Sequence, residues 1–183
     1  RETVDHIREI VATQQNYARN DVVKTAKPER IDALIDHALR VAESALIRHS
    51  IVVEKEIQEL PPIILERHHL LQILINLITN AKRAVSVRAP GERRIRIRVR
   101  QVDDRIAISI IDNGCGIPPE NMSKLFRHGF TTHPKGHGFG LHSSALTARA
   151  MDGRIFASSD GPDHGATFTL EIPATLSVRS KAA

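Results

Sequence analysis

The chain has 183 residues, a formal net charge of +5, 41% apolar and 26% charged residues. That suits one well-cored domain with a short appendage. A single cysteine, Cys115, excludes a disulfide framework and fits a reducing compartment. No apolar run reaches the roughly 18 residues that span a bilayer, and no signal peptide is visible. Because it begins at Arg1, the chain is expected to be a piece of a longer protein.

In chain order, residues 1–19 carry a single apolar stripe (Val4, Ile7, Val11, Ala18), the pattern of a helix in a coiled-coil or bundle seam. Residues 20–28 are polar and read as a linker. Pro28 fits the first turn of a helix starting near Glu29, with Ile31, Leu34, Ile35, Ala38, Leu39 and Leu46 on one face. A strand is predicted over 50–56 and is closed by Pro61-Pro62. The next helix, 66–87, has an apolar body (LLQILINLI from Leu70) and should be buried. Strands over 93–101 and 105–112 form a hairpin turned by Asp103-Asp104. In the first of them Ile95, Ile97 and Val99 face a core while the arginines between face water. These dispersed positives and six aromatics give no nucleic-acid surface. A short helix over 118–127, a polar loop over 129–138 and a helix over 139–151 follow. Asp152-Gly153 stops that helix. Strands over 154–159 and 165–172 close the fold, and residues after Pro173 are a tail. The alternation of elements predicts a two-layer α/β sandwich: a mixed, mostly antiparallel sheet with helices on one face.

Two glycine clusters and one helix carry the chemistry. GHGFGLH at 136–142 opens a helix, and uncovered N–H groups at a helix N-terminus attract anions. Asn76 and Asn80 sit four apart on one face of the apolar helix. Buried amides must be satisfied, so they either cap neighbouring backbone groups or offer carbonyl oxygens to a hard cation. Arg83, three residues beyond Asn80, can meet a phosphate from the same face. Asp112 ends the apolar run IAISII. An ionised carboxylate only accepts hydrogen bonds, so at a pocket floor it selects adenine's exocyclic amine; an Asp before Asn-Gly is also an ordinary turn residue. The ten histidines form no zinc pattern, since His68-His69 are adjacent and no cysteine pair accompanies them.

Taken in order, these segments resemble the ATP-binding domain of sensor histidine kinases, part of the gyrase, heat-shock chaperone, histidine kinase and MutL-type ATPase superfamily. LINLITNAKRA at 74–84 resembles the N box and IDNGCGI at 111–117 the first glycine box. LFRHGFTT at 125–132 is similar to the phenylalanine box, GHGFGLH to the second glycine box, and GATF at 165–168 to the last. The resemblance covers roughly residues 31–173. It implies a Bergerat-type fold over 28–173 with ATP and Mg²⁺ as cofactors. Residues 1–27 become the end of a dimerisation and phosphotransfer hairpin with its linker, and 174–183 a tail. It implies that Asn80 coordinates Mg²⁺ and that Asn76 and Lys135 stand nearest the chemistry. Arg83 meets phosphate and Asp112 reads adenine. Gly114, Gly116 and Ile117 line the base, with Thr167 nearby. The lid over 127–135 hinges on Phe126 and Phe130 and brings Thr131, Thr132 and Lys135 to the nucleotide. Gly136, His137, Gly138, Phe139, Gly140 and Leu141 supply its phosphate side.

Two departures shape the reading. Gyrase-type relatives have a Glu base where this chain has Asn76, so autonomous hydrolysis should be poor and the kinase branch is favoured. The lid is short, with His133 where many relatives carry Lys, so the usual cation has either moved to Lys135 or gone. His6 lacks the acidic residue and proline expected after a phosphoacceptor, so that histidine is expected outside this chain. The resemblance implies a cytoplasmic domain, a homodimer when full length, and a response-regulator receiver domain as partner. A scaffold that binds ATP without transfer, and a serine kinase of the anti-sigma-factor type, share the same boxes.

Overall fold

The computed structural model describes residues 26–132 and 138–174. The expected helix at 1–19, the lid residues Lys135, Gly136 and His137, and the tail beyond Ala174 lie outside the described residues.

A five-stranded sheet is built from β2 (Val52–Ile57), β4 (Arg94–Val102), β5 (Arg105–Asp112), β7 (Ala166–Pro173) and β6 (Arg154–Ser158), in that spatial order. Only β2–β4 is parallel; the other pairs are antiparallel. Strand alternation decides what each face becomes. On the inner face Ile95, Ile97, Val99, Ile106, Ile108, Ile110, Phe168, Leu170 and Ile172 are buried. Against them pack α1 (Ile31–Arg48), α2 (Arg67–Ala84) and α4 (Gly140–Ala150). The outer face keeps water, and there Arg96 reaches Glu54 at 2.8 Å and Arg98 reaches Glu56 at 2.7 Å across the parallel pair. No described helix is long and apolar enough to cross a membrane.

The two-layer sandwich follows the periodicity of the sequence, with three local differences. Pro28 lies in a three-residue strand, β1 (Lys27–Glu29), paired antiparallel with β3 (Ile63–Leu65), and the first helix starts at Ile31. So short a two-stranded sheet tolerates a residue that cannot donate. Helix α2 buries Leu70, Ile73, Leu74, Leu77, Ile78 and Ala81 but leaves Gln72 exposed, so it is a one-faced helix. The predicted helix at 118–127 is one turn, α3 (Pro119–Met122). Beyond it Lys124 N–H bonds Asn121 O and Arg127 N–H bonds Lys124 O, three-residue closures that replace helical ones.

Candidate functional site

Three segments converge beside the C-terminal end of β5: the second half of α2, the 112–117 turn, and the start of α4. Their contact is backbone to backbone where side chains are missing. Cys115 N–H donates to Ala84 O at 3.1 Å, and a Cβ on Gly114 would collide with the Ala84 backbone, so only glycine lets the turn lie on α2. Arg88, just past α2, latches the turn. Its Nε donates to Asn113 O at 2.7 Å, and its Nη2 donates to both Gly114 O (3.3 Å) and Asp163 O. Ser159 ties the same region to the 159–165 loop by accepting from Ile117 N–H at 3.0 Å and donating to Gly165 O at 2.6 Å.

Asp112 lies at the centre of this arrangement. It is 5% exposed, and its Oδ1 accepts the Gly114 N–H at 2.8 Å. Its Oδ2 is buried and has no hydrogen-bond partner among the described residues. Burial pushes the carboxyl up to about 6, against the pull of the Gly114 and Ala166 N–H groups. Buried polar atoms without partners are rare in native folds and need a reason. Here the orphan is an acceptor at a strand end, where a donor from a ligand would satisfy it.

On α2, Asn80 is half-buried, its side chain makes no hydrogen bond to a described residue, and Arg83 is exposed one turn further on. Asn76 is committed differently. Its Nδ2 donates to Ser144 Oγ on α4 at 2.8 Å, and its Oδ1 occupies the space that a Cβ on Gly140 would need. Asn76 is therefore a brace between α2 and α4.

The described ends of the lid are tied together: Gly129 N–H donates to Gly138 O at 3.2 Å, and Gly138 has φ +70°. Leu125 is buried, and Phe126, Phe130 and Leu141 pack half-buried against the core. Thr131 and Thr132 are exposed. Phe139 is also exposed, with its ring 4.8 Å from that of His128. His142 Nδ1 lies 3.0 Å from Phe126 O and joins α4 to the lid's root.

Thr167 does not share Asp112's face. The register sets Ala166 opposite Asp112 and Thr167 opposite Ile111, and alternation turns Thr167 to the outer side of the sheet. Ala166 is the strand-β7 neighbour of the carboxylate. A cavity of about 170 Å³ at this end of the sheet is lined by Asp112 and Ala166 as well as by Ile111, Thr167 and Ser158–Asp160 with His164 and Gly165, so Thr167 reaches the same cavity as Asp112 from the other side of the strand end. Sequence reading also missed Arg88, Ser144 and Ser159. Each acts on backbone or on an amide far away in the chain, which leaves no local pattern.

A mixed sheet with helices on one face, and a buried acceptor set between an asparagine-bearing helix and a glycine-rich helix start, defines a nucleotide-binding α/β sandwich. The chain belongs to the histidine kinase-, DNA gyrase B- and HSP90-like ATPase family, whose model matches residues 66–176. It is 39% identical over 145 residues to the signal transduction histidine-protein kinase AtoS of Escherichia coli (strain K12), covering 78% of this chain and 23% of that one. To the sensory histidine kinase/phosphatase NtrB of Rhizobium meliloti (strain 1021) it is 32% identical over 161 residues, 81% and 41% of the two chains. The chain thus spans well under half the length of these relatives. The nucleotide-free catalytic domain of histidine kinase ThkA superposes with a TM-score of 0.73 at 25% identity, covering 82% of this chain and 96% of that one. The chain carries an ATP-binding domain of the histidine kinase type.

Proposed function

We propose that this chain binds Mg-ATP and transfers the terminal phosphoryl group to a histidine on a dimerisation helix, as the catalytic domain of a sensor histidine kinase. The observation that carries this is the buried, unpartnered Oδ2 of Asp112. An acceptor there takes a hydrogen bond from the exocyclic amine of adenine and repels the carbonyl that guanine has at the same place. Gly114 and Gly116 seat the turn against Ala84 and Gly161 and so shape the edge of the base site, and Ile117 offers an apolar floor. Asn80, with an uncommitted side-chain oxygen, would hold Mg²⁺, whose charge neutralises the phosphates when bound. Arg83 lies one turn on, towards the phosphates. Gly140 and Leu141 begin α4, whose first N–H groups would serve the phosphates. Lys135 on the lid would meet the terminal phosphate.

Asn76 supports transfer over hydrolysis. An amide cannot accept a proton from water, and this one is already bonded to Ser144. In transfer, the bond between the γ-phosphorus and its bridging oxygen breaks, a phosphorus–nitrogen bond forms on imidazole, and ADP leaves. Residues 1–27 would be the end of the dimerisation hairpin, the full-length protein a cytoplasmic homodimer, and a response-regulator receiver domain the next acceptor. The test is γ-labelled ATP with this chain and a separately supplied hairpin bearing the phosphoacceptor histidine. Label in the hairpin that is lost in acid is the expected result. ATP binding without transfer identifies a scaffold instead, and acid-stable label a serine kinase.

A further inference from the structure

We infer that Glu66, His68 and His69 form a Zn²⁺ site at the junction of β3 and α2, separate from the nucleotide site. As a sequence the histidine pair lacks zinc-motif spacing; the fold supplies a third ligand. His69 Nδ1 lies 3.3 Å and His68 Nε2 3.5 Å from the same Glu66 Oε2, and all the ligand atoms fall within 4.8 Å of one another. A tetrahedral ion with bonds of about 2.0–2.1 Å holds its ligand atoms roughly 3.3 Å apart, so the two shorter separations already match and a side-chain rotation closes the third. Two imidazoles and a carboxylate suit zinc and not the all-oxygen sets of Mg²⁺ or Ca²⁺.

The surroundings leave the Glu66 carboxylate to the two histidines. Glu66 occupies the N-cap position of α2 yet makes no side-chain capping bond. The adjacent cation, Arg67, turns away to Glu29 Oε2 at 3.2 Å and His37 Nδ1 at 2.7 Å. The Glu66 and His69 side chains are 19% and 23% exposed and held by the helix start, whereas that of His68 is 71% exposed. A fourth position therefore opens to water or to a ligand from another molecule. Among the described residues this is the one group of three such side chains. Eleven residues of helix at about 1.5 Å each put it roughly 16 Å from Asn80, so it does not compete with the magnesium position. Leu65, just before Glu66, pairs with Lys27 at the first described strand. The ion would thus pin the first turn of the helix that carries both asparagines.

Calorimetric titration of the whole chain with zinc chloride, in chelator-free and phosphate-free buffer, tests this. One zinc per chain is expected, with a higher melting temperature. Binding should weaken by at least about tenfold in Glu66→Gln and in His69→Ala, variants whose metal-free melting temperatures serve as the folding control. Asp112→Asn should bind zinc like the parent, which keeps this test independent of the nucleotide reading. No zinc binding by the parent chain, or undiminished binding in both variants, overturns the assignment.

Discussion

Replacing Asp112 by Asn should make the nucleotide-free domain more stable while removing its response to ATP. The carboxyl is buried and carries an orphan oxygen, and it holds its proton up to about 6 rather than the ordinary 3.8. Between those values the folded state binds more protons than the unfolded one. Stability contributed by the group is thus complete below about 3.8 and lost as pH rises through about 6. The difference corresponds to about 3 kcal/mol, an upper figure because the substituted amide leaves its own NH₂ unpartnered. A gain of about 1–3 kcal/mol remains at pH 7.5, several degrees in Tm for a domain of this size, and it should be about 2 kcal/mol smaller at pH 4.5, where the unfolded carboxyl is still mostly ionised. The amide oxygen can still accept the Gly114 N–H, so the turn is kept. With Mg-ATP at about 100 times its dissociation constant the parent gains about 2.7 kcal/mol. The variant gains none, because its NH₂ meets the adenine amine donor to donor. Thermal melts at both pH values, with and without Mg-ATP, measure all of this. A variant less stable than the parent at pH 7.5, a difference that ignores pH, or a retained ATP shift each refutes the reasoning.

Gly140→Ala should cost about 1–3 kcal/mol by driving a methyl group into Asn76 Oδ1. In an Asn76→Ala background most of that cost should disappear, and additive costs in urea melts contradict the brace. Arg88→Ala removes bonds to three carbonyls on two loops and should lose about 1.5–3 kcal/mol of stability together with ATP affinity. Lysine should not restore either, since it lacks the planar fork. Affinity for an adenosine analogue without titratable phosphate should fall about tenfold per pH unit below about 6, as protonated Asp112 loses its acceptor; a flat profile from pH 7.5 to 5 contradicts that role.

The central strands were legible because Ile95–Val99 and Ile106–Ile110 alternate or run apolar, and burial on one face enforces period two. Asp112 was legible because a carboxylate after such a run stands at a strand end. The face on which Thr167 stands was not legible. It depends on the register between β5 and β7, which local composition does not encode. Nor was the commitment of Asn76, whose partner Ser144 lies 68 residues away and carries no signal of its own. The β1–β3 pair escaped because three residues containing a proline show no periodicity. The two adjacent histidines looked unlike a metal motif because their third ligand becomes close only when the helix start sets it there.

A crystal structure of the chain with magnesium and a non-hydrolysable ATP analogue tests the central claim most directly. The account predicts the adenine amine within hydrogen-bonding distance of Asp112 Oδ2 and the magnesium on the side-chain oxygen of Asn80. A base bound elsewhere, with Asp112 Oδ2 still unpartnered, would contradict it.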